Sequence, residues 1–281
     1  MHKYAYLETE GSSLSLEENL KNSLALSQEL LEAPITPSWD KLMEKWKNIS
    51  DSFSLFFPRS FVIIHDIKTH KAVFVRGLSA LGYQDDYLIT AREIVDITHE
   101  NQRAIMAYQS SMVHKVFLRE PGLIKERGMT YCNTRSLKDK SGVYWLVSQI
   151  VTPAQYDRNG RMARYLVSYR LLREYNGEPY LTNIYTHPEC ATAQKELRRR
   201  LEVIRLGMLR GLGFTRRQQE VIEYMGEDFS KATILGTMGI NETGLKKHRE
   251  KILAIGRQLF PINNFKTASD VIDYLKRQGI I

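Results

Sequence analysis

The densest chemistry in the chain lies between Thr215 and Leu253. At its end Lys246, Lys247, Arg249, Glu250 and Lys251 crowd a stretch that, continued to residue 259, has Leu245, Ile252, Leu253 and Leu259 among its apolar residues. At helical spacing the apolar set falls on one side, and Lys246, Lys247, Glu250 and Lys251 fall on the other. A row of cations suits phosphate oxygens, and a carboxylate among them can accept a hydrogen bond from cytosine N4 in a groove. Such side chains need helices to hold them, and start signals are present. Thr215 with Gln218 three residues on is a capping box ahead of Val221, Ile222 and Met225. Ser230 can cap a second helix carrying Ile234, Leu235 and Met238, Gly239 ends it, and Asn241 can cap the third. Pro261 predicts that this third helix stops near Phe260, and Thr267 opens a last helical segment, ASDVIDYLKRQGII.

Charge distribution separates this reading from a merely solvated face. Residues 195–281 hold 17 Lys plus Arg against 10 Asp plus Glu, whereas residues 1–194 hold 23 against 22. Almost all of the net +8 therefore sits where the motif lies, which implies a partner with phosphates. At 281 residues and 43% hydrophobic content the chain has room for two domains with proper cores. No apolar run is long enough for a membrane span, so no membrane partner is expected. MHKYAYLETEGSSLSLEENL carries acids and no apolar stretch, so it is not expected to act as a secretory signal. Cys132 and Cys190 stand alone, without CxxC or Cys/His ligand spacing, which points away from disulfides and metal and towards the cytoplasm. No phosphate-binding loop, GxSxG or HExxH occurs, so no catalytic residue and no enzymatic activity is expected.

The same C-terminal residues resemble the LuxR/GerE-type helix-turn-helix. Thr215, Glu220, Val221, Ser230, Ile234, Gly239, Ile240, Lys246, His248, Arg249, Ile252 and Leu253 stand in the family's order. The resemblance implies base reading by Lys246, Lys247 and Glu250 in the major groove. It implies phosphate contact or positioning by Ser230, Lys231, Asn241, Thr243, Arg249 and Lys251. The chain departs from the family with Arg216 in place of proline, Asp228 in place of glycine, Gly244 in place of threonine, and the acidic Glu250 at a reading position. The family's target sequence therefore does not carry over.

Upstream, from Ser52 to about Tyr175, the pattern turns to short strands. FVIIHDI and AVFV are split by KTHK, a helical stretch runs from Ala91 through Met112, and three longer strands follow with DKSG and DRNG between them. Such turns are hairpin chemistry, so the expectation is a five-stranded antiparallel sheet with helices over one face. FVRGLSALG at 74–82, the trio Ile97, Thr98 and His99, KDKSGVYWLV and YDRNGRMARYLV make this region similar to a PAS domain. That resemblance implies a sensory, dimerising module with a possible cavity between sheet and helices. Tyr144, Leu146 and Ser148 on one strand, with Tyr165, Val167 and Tyr169 on the next, are the candidate pocket residues. Val143, Trp145, Val147 and Gln149 form the alternate face, and periodicity does not choose between the two. A filled core that only dimerises stands beside a small-molecule pocket as the alternative.

No cofactor is predicted. A photoactive flavin site needs its cysteine in a helix, and Cys132 lies in a strand; haem needs an axial histidine, for which His99 and His114 are the only candidates on the helical side. Cys132 in a half-buried strand reads as packing and not as a redox sensor.

The domain plan is a helical extension over 1–50, a PAS-like sensor over 51–176, a linker with a connecting helix over 177–212, and the helix-turn-helix unit over 213–281. The connecting helix carries Leu197, Leu201, Ile204, Met208 and Leu212 in a heptad-like seam of barely two heptads, which can pack on its own chain or pair across a dimer. The fold class is α+β. The expected function is transcription regulation by a dimer on double-stranded DNA, with RNA polymerase and an unidentified small molecule as further partners. Two alternatives stay open: a PAS adaptor whose basic helices bind a protein, and a sigma-factor-like promoter reader.

Overall fold

The computed structural model describes residues 59–119 apart from 86, 88 and 89, then 130–185 and 207–281, with scattered positions before residue 50. The expected extension over 1–50 falls almost wholly outside the described residues, as does the connecting helix as far as residue 206.

A six-stranded antiparallel sheet forms the first layer. Its strands are β1 (Ser60–Asp66), β2 (Lys71–Arg76), β3 (Thr130–Lys138), β4 (Tyr144–Tyr156), β5 (Met162–Glu174) and β6 (Leu181–Tyr185), in the spatial order β2-β1-β5-β4-β3-β6. The five expected strands are joined by β6, which pairs with β3 from Thr130↔Tyr185 to Thr134↔Leu181. Residues assigned to the linker on sequence thus belong to the sheet, because the outer edge of β3 offers unpaired backbone groups that β6 satisfies. The hairpin turns follow their chemistry, with Gly142 at φ 97° and Gly160 at φ 76°, where a side chain would strain the backbone. The register sets Phe61 opposite Tyr169 and Ile63 opposite Val167, and the rings of Phe61 and Tyr169 stack at 4.5 Å.

The expected helical middle is two helices, α1 (Ala91–Asp96) and α2 (Glu100–Arg119). Thr90 caps α1 by accepting from the Arg92 N–H. The chain breaks between them at Ile97–His99, where the Lys138 N–H donates to the Ile97 carbonyl at 2.7 Å and ties the corner to β3. Ile94 and Ile97 join Phe61, Ile63, Leu78, Leu81, Leu137, Val147 and Val167 in a core on the sheet.

The C-terminal unit comprises α3 (Met208–Gly211), α4 (Arg216–Gly226), α5 (Lys231–Met238), α6 (Glu242–Leu259) and α7 (Ala268–Arg277). Its caps are the expected ones. Thr215 and Gln218 form the full capping box, Ser230 accepts from Thr233 N–H, Asn241 accepts from Gly244 N–H, and Thr267 closes a second box with Asp270. Gly239 ends α5 in the left-handed conformation, and α6 stops at Leu259 with Phe260 as its cap. Val221, Ile222, Ile234, Met238, Leu245, Ile252, Val271, Ile272 and Leu275 bury one face of each helix in a common core.

That core does not stop at the unit's boundary. It takes in Ile105 and Met106 of α2 together with Met208, Leu209 and Leu212. The Tyr274 hydroxyl of α7 donates to the Asn101 carbonyl of α2 at 3.4 Å. Of the heptad-like seam, Met208 and Leu212 are 1% and 5% exposed and face their own chain, while Leu197, Leu201 and Ile204 lie outside the described residues. Among the described residues no helix is long and apolar enough to cross a membrane.

Candidate functional site

Two sites emerge, one on the surface of α5 and α6 and one between the sheet and α1 and α2. On the surface site, Leu245, Ile252 and Gly256 anchor α6 to the core, which fixes the rotation of the helix. Lys246, Lys247, Arg249, Glu250 and Lys251 are consequently exposed. Among the described residues none of these four cations is ion-paired. At eighteen residues α6 is about 27 Å long, enough to lie along a groove of duplex DNA.

The helix N-termini flank that face. Ser230 Oγ accepts from the Thr233 N–H at 3.1 Å, and Asn241 Oδ1 accepts from the Gly244 N–H at 2.8 Å. Each cap satisfies one first-turn donor and leaves others for an anion. Lys231 and Glu242 bridge the two helix starts at 2.7 Å, both exposed, so a phosphate has only a weak surface pair to displace. Lys231, Thr243, Lys246, Arg249 and Glu250 line one shallow groove, so five of the sequence-designated residues converge. Ser230, Asn241, Lys247 and Lys251 lie outside that lining. Residues 207–281 hold 12 Lys plus Arg against 8 Asp plus Glu, so the described unit keeps a cationic excess.

The second site is a cavity of about 110 Å³. About 10–15 Å³ on the same measure admits one water, so there is room for several waters or a small molecule. Tyr165, Val167 and Tyr169 line it as designated from the sequence; Tyr144, Leu146 and Ser148 do not. From β4 the cavity is lined instead by Gln149, with Val147 in the adjoining core. The strand pairing shifts register between Leu146 and Val147, and Tyr144 turns its ring edge-on to His99 at 4.7 Å.

Apart from His114, named above as a haem candidate, the polar lining consists largely of residues to which the sequence assigns no role. His65 of β1, His70 of the β1–β2 turn, Ser110, Ser111 and His114 of α2, and Arg135 of β3 all face the cavity. His70 and His114 stack at 5.5 Å, and His65 stacks on Tyr165 at 5.2 Å. Burial, helped by His70 and Arg135, pushes the His65 imidazole down to about 4, and burial with His70 and His65 pushes His114 down to about 3. His70 is also lowered by burial, against the opposing charge of Asp66. The rings are therefore neutral near pH 7. The available signal was an imidazole inside the apolar run FVIIHDI, and a guanidinium on the inward phase of TYCNTRSLK.

Of the haem candidates, His99 lies outside the cavity lining, with its Nδ1 accepting from the Asn101 N–H at 3.3 Å, whereas His114 is in the lining. Cys132 is half-buried, and burial raises its thiol, which disfavours the reactive thiolate. Among the described residues no three His, Cys, Asp or Glu side chains are grouped to hold a metal ion.

No family model matches the chain and no curated protein is similar to it. Solved structures do show likeness. The N-terminal domain of a diguanylate cyclase with a PAS/PAC sensor from Marinobacter aquaeolei is 10% identical, over 39% of this chain and 92% of its own, at a TM-score of 0.31. A VqmA–ligand–DNA complex from Vibrio cholerae is 14% identical, over 82% and 87%, at 0.26. SdiA of Escherichia coli is 11% identical, over 93% and 98%, also at 0.26.

Proposed function

We propose that the chain is a sequence-specific regulator that binds double-stranded DNA through α6 and answers to the state of the cavity under its sheet. One observation carries the first half: a capped eighteen-residue helix buries Leu245, Ile252 and Gly256 and presents Lys246, Lys247, Arg249, Glu250 and Lys251 on the exposed side. Lys246, Lys247 and Glu250 read base edges; Lys231, Arg249 and Lys251, with the helix starts at Ser230, Asn241 and Thr243, hold phosphates. A homodimer sets two copies of α6 about 34 Å apart, one per half-site.

Support for the second half is the position of α2. One side of it lines the cavity through Met106, Ala107, Ser110, Ser111 and His114, while Ile105 and Tyr108 pack with the C-terminal core. A ligand that shifts α2 biases the placement of the DNA-reading unit through packed contacts.

The test is binding of the full-length chain to randomised duplex DNA across a salt series. The reading expects an enriched two-half-site sequence and a steep salt dependence, with a slope of about −0.9 per phosphate neutralised. No enriched sequence together with a flat slope contradicts it and favours a protein partner for the basic face.

A further inference from the structure

Arg135 is the most unusual residue under the sheet. It is 4% exposed, and it lines the cavity with a planar guanidinium whose N–H groups form a rigid fork. Its recorded partners are neutral: Nη1 donates to Gln149 Oε1 at 3.3 Å and Nη2 to Thr98 Oγ1, while Nε has no hydrogen-bond partner. No carboxylate among the described residues pairs with it. Asp66, whose charge acts on His70, is engaged by Arg164 at 3.2 Å and by Thr69. A buried cation without a counter-charge is costly, so proteins pair such groups or lend them to ligands.

The surroundings repeat the pattern. His65 Nδ1, His70 Nε2 and Ser111 Oγ are buried without hydrogen-bond partners, and each of these residues lines the same cavity. His65 is 3% exposed, so its open nitrogen has no access to bulk water. Ile94, Val95, Met106, Ala107 and Val167 supply an apolar part of the wall, beside Ser110, His114, Gln149 and the rings of Tyr165 and Tyr169. A guanidinium fork at one part of the lining, open imidazole and hydroxyl groups beside it, and an apolar section of wall describe a site for a small acid with an apolar part.

We propose that this cavity binds a small organic carboxylate, with its carboxylate on Arg135, further polar contacts to His65, His70 or Ser111, and its apolar part against Ile94, Met106 and Val167. Arginine recognises carboxylates through charge-assisted hydrogen bonds that a neutral amide does not match. The proposal names the ligand class for the sensing cavity of the preceding section, but it does not depend on DNA recognition and is tested without DNA.

The experiment is a thermal-shift and calorimetric titration of the full-length chain with acetate, pyruvate, benzoate and indole-3-acetate, each against its primary amide. At least one acid is expected to raise the melting temperature saturably and to bind about ten- to a hundredfold more tightly than its amide. Arg135→Gln is expected to abolish that preference. Ala107→Phe, which fills the cavity and leaves Arg135 in place, is expected to abolish binding and serves if Arg135→Gln does not fold. No stabilising acid, equal binding of acid and amide, or an undiminished preference in Arg135→Gln each overturns the proposal. Carboxylate binding without an enriched DNA sequence would leave this proposal standing and remove only the DNA reading; the converse result would do the opposite.

Discussion

Gly211 of α3 meets Tyr108 of α2 so closely that a methyl group there has no room. A Cβ built on Gly211 falls 2.0 Å from Tyr108 Cε2, 2.2 Å from Cδ2 and 2.8 Å from Cζ. Carbon atoms rest at roughly 3.5–4 Å, so Gly211→Ala must swing the ring or part the two helices by about 1.5 Å. Overpacking of this kind costs about 1–3 kcal/mol. Tyr108→Ala alone loses the packing of a half-buried aromatic ring, on the order of 3 kcal/mol. In the double variant the new methyl occupies vacated space, and alanine regains about 0.5–1 kcal/mol of helix preference over glycine. The two changes should therefore couple by about 1.5 kcal/mol or more, with Gly211→Ala nearly neutral in the Tyr108→Ala background. Urea unfolding of the four full-length proteins measures this. Additivity within about 0.5 kcal/mol means that α2 and α3 are not in direct contact, and the proposed route from cavity to DNA-reading unit loses its physical link.

Gly256→Ala should destabilise the C-terminal core by about 1–3 kcal/mol, since its Cβ would lie 2.5 Å from Val271 Cγ2 between α6 and α7; a lowered urea midpoint checks it. Asp228 adopts φ 59°, a left-handed conformation costly for a side chain, so Asp228→Gly should raise the melting temperature, by about 0.5 kcal/mol of stability; a fall would show that the Lys276 contact at 3.9 Å outweighs the strain. His65 has its folded pKa depressed to about 4 from an unfolded 6.5, so the unfolded chain binds more protons between those values. Stability is accordingly full above pH 6.5 and falls as pH drops towards 4, by on the order of 3 kcal/mol for His65. His65→Phe, which keeps the stack on Tyr165, should flatten that acid limb in denaturation curves, and an unchanged limb would assign it to other groups.

The parts of this molecule legible in the sequence are those made by near neighbours. Thr215, Ser230, Asn241 and Thr267 cap helices through backbone N–H groups three residues away, so type and spacing suffice. The turns at 139–142 and 157–160 are equally local, and they order β3, β4 and β5. Distance in sequence hides the rest. Arg135, His65 and His114 meet only after the sheet and α2 assemble, and Tyr108 meets Gly211 across the two units. The inward face of β4 was ambiguous because alternation carries no sign, and the register shift after Leu146 interrupts the phase of the strand. The stretch GEPYLTNIYTHPE reads as one more extended segment with a loop, but its place in the sheet is not legible, because its partner is the far edge of β3, some fifty residues away.

The central claim is that α6 reads base edges while the helix starts around it hold the backbone. Selection from randomised duplex DNA, run in parallel on the full-length chain, Lys246→Ala and Lys231→Ala, tests it most directly. Lys246→Ala should change which bases are preferred at one position of each half-site, by about 1–3 kcal/mol of discrimination. Lys231→Ala should weaken binding to every sequence alike and lower the salt slope by about one phosphate. An unchanged base preference in Lys246→Ala would contradict the account, because the exposed face of α6 would then not be the surface that reads DNA.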